Sequence, residues 1–271
     1  MPRIRVNNAG LYYEEQGSGS ETLVFAHGLL WSCRMYDKQV AALKERYRCV
    51  AFDFRGQGQS EVTRDGYDME TLYEDTAALI EALHCAPCHF VGLSMGGFIG
   101  LRLAARRPEL IRSLILLETS ADPEPGENVP KYRQMSVVVR WLGPSVVVDR
   151  AMPIMFGKKF LNDPARAELR REWRRRMSSN HRVGVSRATM GVITRKGVRD
   201  EIGQIRVPTL IIVGDQDVAV PLPNSQRLHE GIAGSRLVII PGAGHTSTVE
   251  EPAAVNAAIS EFLELCAGRE S

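Results

Sequence analysis

No stretch of the sequence approaches the ~20 consecutive apolar residues that span a bilayer. Its first ten residues, MPRIRVNNAG, also lack the apolar run and small-residue cleavage site of a secretory leader. An excess of one charge is missing as well: 34 Lys and Arg face 32 Asp and Glu, a formal net charge of +2. Neither nucleic acid nor a membrane surface is therefore expected as a partner, since each calls for a basic patch or stripe. Cysteines are few and odd in number, scattered at Cys33, Cys49, Cys85, Cys88 and Cys266, which is no disulfide framework. Free thiols in a cytoplasmic protein are the expectation. Internal repeats and low-complexity segments are absent too. What remains is an ordinary globular composition, 271 residues with 44% hydrophobic and 24% charged content, enough to bury a sizeable core.

Short apolar runs recur with helical patterns between them: Leu23 to Ala26, Cys49 to Phe52, His89 to Gly92, Leu114 to Leu117, Leu210 to Val213 and Leu237 to Ile240. Continuous runs of Val, Ile and Leu mark strands buried on both faces, as in a mostly parallel sheet covered by helices. Ile4 to Val6 and Leu11 to Glu15 alternate instead and flank Asn7-Asn-Ala-Gly10, which predicts an antiparallel edge hairpin. Apolar residues at three- and four-residue spacing predict helices near Tyr36 to Arg46, Glu70 to Leu83, Met95 to Arg106, Pro223 to Gly231 and Pro252 to Leu265. The alternation argues for one doubly wound α/β domain. Its rhythm breaks between Ala121 and Asp200, a strandless, helix-rich insertion with 17 Lys and Arg against 8 Asp and Glu. That charge reads as solvated arginine on helix faces before it reads as a lure for an anionic substrate.

Gly92-Leu-Ser-Met-Gly96 matches G-x-S-x-G where a strand ends and a helix begins. A serine on such a turn stands clear of the sheet, and the glycines leave room where side chains would collide. Ser94 is the expected nucleophile, and the Met95 N–H, at the start of the helix, is free to hold an oxyanion. A serine hydroxyl needs a base in contact with it. Of six histidines, His245 lies in the glycine loop Gly242-Ala-Gly-His245-Thr just after the last strand; the other five read as structural or surface residues. The base needs an acid to hold its tautomer. Asp217, in Gly214-Asp-Gln-Asp217, gives the order Ser, Asp, His, with Asp215 and Glu118 as competitors. A second oxyanion donor is expected from the loop after an early strand, where Gly28 lets the Leu29 N–H turn inward. The cluster His84-Cys85-Ala-Pro-Cys88-His89 reads as a plain connection rather than a metal or redox site.

Taken together, HGLLWS (27–32), DFRGQGQS (53–60), GLSMGG (92–97), GDQD (214–217) and GAGHT (242–246) closely resemble the α/β-hydrolase superfamily, and the resemblance spans about Leu11 to Leu265. The insertion and the Ser-Met-Gly-Gly elbow are most similar to the branch of enol-lactonases, cofactor-free haloperoxidases and carboxylesterases, with some acyl-homoserine lactonases. The resemblance implies an eight-stranded, mostly parallel sheet with a core of residues 1–120 and 201–271 and a helical cap at 121–200. It maps Ser94, Asp217 and His245 onto the triad and Leu29 and Met95 onto the oxyanion hole, and makes the 53–60 turn structural. The cap residues Trp141, Val146, Val147, Met152, Met155, Phe156 and Trp173 are candidates for the acyl pocket, and Trp31 and Met95, beside the oxyanion donors, for substrate contact. Serine at position 94 argues against the dehalogenases and epoxide hydrolases, which attack through a carboxylate.

The expected activity is cleavage of a small-molecule carboxylic ester or lactone through an acyl-enzyme, with no cofactor and no metal. Acyl-homoserine lactone is one candidate substrate. Two other readings stay open: perhydrolysis, as in the haloperoxidases, and a non-catalytic receptor of the same fold. Acyl length and oligomeric state are not written in the sequence.

Overall fold

The structure, a computed structural model, describes residues 2–268. Eight strands form one sheet: β1 (Arg3–Val6), β2 (Ala9–Gln16), β3 (Thr22–Ala26), β4 (Arg48–Phe52), β5 (Cys88–Leu93), β6 (Ile111–Leu117), β7 (Thr209–Gly214) and β8 (Arg236–Ile240). Their order is β1-β2-β4-β3-β5-β6-β7-β8. The pairs β1–β2 and β2–β4 are antiparallel and every other pair is parallel. This is the eight-stranded, mostly parallel sheet expected from the sequence. The edge hairpin turns on Asn7 and Asn8 alone, both left-handed (φ 43° and 64°), so that Val6 already pairs with Ala9. Two left-handed central residues match the strand twist, and asparagine tolerates that conformation.

Helices cover both faces. α1 (Asp37–Leu43), α2 (Met69–Ala82) and α3 (Met95–Arg106) alternate with the early strands. α4 (Val129–Leu142), α5 (Val148–Met155), α6 (Lys158–Asn162), α7 (Ala167–Ser178) and α8 (Arg182–Ile193) all lie between β6 and β7, and α9 (Leu222–Gly231), α10 (Ser247–Glu250) and α11 (Pro252–Ala267) complete the chain. Alternate strand residues enter separate cores because successive side chains point to opposite faces. Val24, Phe90 and Leu114 pack with Leu72, Ile80 and Ile99 of α2 and α3. Phe25, Val91 and Ile115 pack with Val40 of α1 and with Val255, Ile259 and Phe262 of α11.

One strand departs from the expectation of burial on both faces. β8 is the last of the sheet, and Ile239 is 43% exposed there. Its apolar run reflects β propensity more than burial, because an edge strand has a neighbour on one side only. Among the described residues no helix is long and apolar enough to cross a membrane.

Candidate active site

The parallel strands present their C-terminal ends along one sheet edge, the usual place for a ligand crevice in this architecture. β5 ends at Leu93, α3 starts at Met95, and Ser94 between them holds φ 51° and ψ −110°. A non-glycine residue so placed costs on the order of 1–3 kcal/mol and persists only where its surroundings over-determine it. They do so here: Ser94 N–H donates to Leu117 O (2.9 Å), and Ser94 O accepts from Phe98 N (3.0 Å) and Thr119 Oγ1 (2.8 Å). The glycines are required by close approach. A Cβ on Gly92 would lie 2.4 Å from Gly96 O, and one on Gly96 would lie 2.0 Å from Ala26 O.

His245 follows β8, and its Nδ1 is 2.9 Å from Asp217 Oδ2, with both side chains almost fully buried. The other oxygen, Asp217 Oδ1, accepts from the N–H groups of Ala219 (2.8 Å) and Val220 (3.0 Å). Three hydrogen bonds thus hold the carboxylate in place, and a carboxylate can only accept from the ring. Ser94 and His245 line one cavity, although no hydrogen bond joins the Ser94 hydroxyl to another group among the described residues. The two competing acids go elsewhere. Asp215 Oδ1 accepts from Gly242 N (2.7 Å) and so braces the histidine loop. Glu118 is completely buried at the end of β6, and burial, then the nearby Asp217 charge, pushes its carboxyl well above the ordinary range. Burial thus disfavours the charged form of Glu118, which makes it a poor anionic partner for an imidazolium.

Leu29 lines the same cavity, and no hydrogen bond among the described residues uses its N–H. Met95 N–H, as the first of α3, has no intrahelical acceptor. The Leu29 loop is held from three sides. His27 is fully buried, with Nδ1 2.7 Å from Gly28 O and Nε2 accepting from Phe54 N (3.0 Å). Leu30, left-handed at φ 72°, donates its N–H to Gln57 Oε1 (2.9 Å), and its carbonyl accepts from Asn180 Nδ2 (2.8 Å). Burial lowers the His27 pKa, consistent with a neutral ring that donates through one nitrogen and accepts through the other. Asp53 in the 53–60 turn is equally occupied, accepting from Cys33 N and Gln59 N at 2.7 Å each.

Two expectations of substrate contact are corrected. Trp31 does not line the cavity: its ring is buried edge-on between Phe156 and Trp173, at centroid distances of 5.7 and 5.2 Å. The Met95 side chain is fully buried in the core and is not a wall of the cavity either. Sequence adjacency to an expected oxyanion donor does not fix side-chain direction, because the loop and the first turn of α3 point these residues inward. Of the seven candidate lining residues in the insertion, Val147 and Met155 face the cavity. Trp141 (72% exposed) and Val146 face solvent, while Met152, Phe156 and Trp173 pack in the core around Trp31. The cavity, ≈ 120 Å³, takes its apolar walls instead from Met135, Val139, Ile154, Val185 and Val192. On that measure one water needs ~10–15 Å³, so there is room for a modest organic group. Among the described residues six of the 17 Lys and Arg of the insertion are ion-paired, as in Arg174–Asp149 (2.8 Å) and Arg176–Glu172 (2.7 Å).

Sequence reasoning missed Glu250. Its Oε1 accepts from Gly244 N (3.0 Å) and Thr246 N (3.2 Å) on either side of His245, and its Oε2 accepts from Gly157 N (2.7 Å) between α5 and α6. One carboxylate thereby ties the histidine loop to the helical insertion. Its only sequence signal is its place five residues after His245. Burial raises its pKa and the three N–H donors pull it back, leaving it at about 7 against an ordinary 4.5. Between those values the folded state binds more protons than the unfolded state, so the contribution of Glu250 to stability is full below pH 4.5 and is lost as pH rises to about 7. The stability of wild type minus that of Glu250→Gln is expected to fall by on the order of 3 kcal/mol across that window. Urea unfolding at matched pH checks this, and a difference that stays flat or rises would contradict the burial-driven shift.

The comparisons with known proteins agree with this geometry. The profile of the Alpha/beta hydrolase family matches residues 23–258. The AB hydrolase superfamily protein YisY of Bacillus subtilis is 30% identical over 262 residues, covering 93% of this chain and 94% of its own length. Among solved structures, the enol-lactonase of Burkholderia xenovorans LB400 superposes with a TM-score of 0.90 at 28% identity, covering 97% of this chain and 100% of its own. A thermophilic esterase from Thermogutta terrifontis superposes with a TM-score of 0.91 at 27% identity, covering 98% and 99%. With a family match across most of its length, an elbow at Ser94 and a histidine held by a carboxylate at the same sheet edge, the chain belongs to the α/β hydrolase family.

Proposed function

We propose that this chain is a serine hydrolase that cleaves a small carboxylic ester or lactone through an acyl-enzyme. The observation that carries the reading is His245, held by Asp217, lining the same cavity as the strained elbow serine Ser94. His245 Nδ1–H donates to Asp217, which leaves Nε2 as the acceptor for the Ser94 proton. Ser94 Oγ attacks the carbonyl carbon, the Leu29 and Met95 N–H groups hold the oxyanion, and His245 returns the proton to the leaving alkoxide. A water deprotonated by His245 then attacks the acyl-enzyme, releasing the acid and restoring Ser94. In a lactone the leaving alcohol stays tethered to the acyl group.

In this reading the core is residues 1–120 and 201–271, and residues 121–200 act as a cap that closes the cavity and sets its size. The enol-lactonase and esterase similarities support ester or lactone chemistry in general. A matched series tests it: p-nitrophenyl esters of increasing acyl length, γ-butyrolactone, an acyl-homoserine lactone and a carbamate, on wild type and Ser94→Ala. Ser94-dependent turnover with short to medium acyl groups preferred is the expected result. Peracid formation in hydrogen peroxide exceeding hydrolysis would favour the perhydrolase. Absence of multiple turnover on every substrate would overturn the enzyme reading in favour of a receptor.

A further inference from the structure

Apart from Ser94, His245 and the backbone-bonded hydroxyls of Ser136 and Thr189, the polar lining of the cavity is Glu124, Tyr132 and Arg195, which mark its charged end. Arg195 is only 9% exposed, and its guanidinium lies over the Phe98 ring at 4.2 Å. Phe98 is one α3 turn beyond Ser94, so this end sits roughly 6 Å along the helix from the elbow. The guanidinium is only partly engaged. Nε donates to Asp122 O (3.2 Å), and Nη1 donates to Glu124 Oε2 (2.8 Å) and Val192 O (2.9 Å), but no hydrogen bond among the described residues engages Nη2. The Tyr132 hydroxyl is likewise without a partner among the described residues.

A buried Arg–Glu pair is costly to desolvate and is seldom retained for stability alone. We infer that Arg195 Nη2 and the Tyr132 hydroxyl form a specificity subsite for a neutral hydrogen-bonding group, such as a ketone or amide carbonyl, on an ester or lactone remote from its scissile carbonyl. This rests on the hydrolase reading and narrows it to a substrate class. Neutrality follows from the charges. Glu124 at 2.8 Å already balances Arg195, and a substrate carboxylate would leave a net negative charge in a site walled by Met135, Val139, Val185 and Val192. A purely apolar substrate would fill the walls yet leave Nη2 and the hydroxyl desolvated and unpaired. No covalent step is added to the reaction; the subsite binds and orients.

The test compares p-nitrophenyl hexanoate, 5-oxohexanoate and the adipate monoester, with the same three end groups repeated on the alcohol arm of acetate esters. In wild type the oxo ester is expected to exceed the hexanoate roughly 10- to 100-fold in kcat/KM, chiefly through KM, with the carboxylate the poorest. Arg195→Met should abolish that preference, bringing the oxo ester and the hexanoate to the same kcat/KM. Glu124→Gln keeps an oxygen for Nη1 but leaves the guanidinium charge unbalanced, so the carboxylate should overtake the oxo ester. Calorimetric titration of 5-oxohexanamide against hexanamide reads the subsite without turnover: tighter binding of the oxo compound by wild type, lost in Arg195→Met, is expected. Equal binding of the two amides, or an unchanged ranking in folded Glu124→Gln, would overturn the subsite. Ser94-independent hydrolysis with the binding preference intact would instead overturn the hydrolase reading alone.

Discussion

Ser94→Ala is expected to lower kcat for any ester turned over by this chain by on the order of 10⁶-fold while leaving the fold intact. The two halves of that expectation have separate causes. Alanine keeps the Cβ of serine and therefore tolerates φ 51° as well as serine does, and the backbone bonds to Leu117, Phe98 and Thr119 do not use the side chain. The Ser94 hydroxyl makes no hydrogen bond among the described residues, so its removal leaves no orphaned partner. The other aliphatic hydroxyls of the lining are committed, Thr189 Oγ1 to Val185 O and Ser136 Oγ to Ser186 O at 2.9 Å each, and Cys33 is buried outside the cavity with its thiol pushed up by burial. A thermal midpoint within a few degrees of wild type together with near-complete loss of turnover is the signature sought. In the proposed mechanism Ser94 and His245 act as one unit, so Ser94→Ala/His245→Ala should be scarcely worse than either single variant. Additive losses would show that His245 acts on something other than the Ser94 hydroxyl.

The second large effect separates the three carboxylates near the imidazole. In Asp217→Asn the remaining carbonyl oxygen satisfies Ala219 and Val220, so the amide NH₂ faces His245 Nδ1. Nδ1 must then accept, which moves the ring proton to Nε2 and removes the lone pair that takes the Ser94 proton. A loss of roughly 10⁴-fold in kcat is the consequence, with little change in KM. Asp215→Asn should cost no more than a few-fold, since an asparagine oxygen can still accept from Gly242 N. Glu118→Gln should be similarly mild because among the described residues no hydrogen bond joins Glu118 to the imidazole, which pairs with Asp217. If Asp215→Asn proved as damaging as Asp217→Asn, the assignment of the acid would be wrong.

Much of the local design was legible in the residues themselves. Periodicity separates strand from helix because the pleat repeats every two residues and the helix every 3.6, and both patterns run almost unbroken through residues 3–117 and 209–267. Ser94, Asp217 and His245 stand out in the sequence as candidates because each sits where a strand ends in a glycine-bearing turn, a local feature. The Asn7-Asn8 hairpin was legible for the same reason.

The features that were not legible depend on which distant segments meet. Trp31 follows the Leu29 loop in sequence yet is claimed by Phe156 and Trp173, and β8 is apolar yet lies at the sheet edge. Glu250 has no meaning until Gly157, 93 residues away, donates to it, and Arg195 has none until Glu124 and Phe98 surround it. Backbone propensity and turn chemistry are local free energies and can be read along the chain, so the sequence by itself determined the architecture and the three residues at the strand ends. The shape and polarity of the cavity are differences between competing long-range packings, and only the tertiary structure decided those.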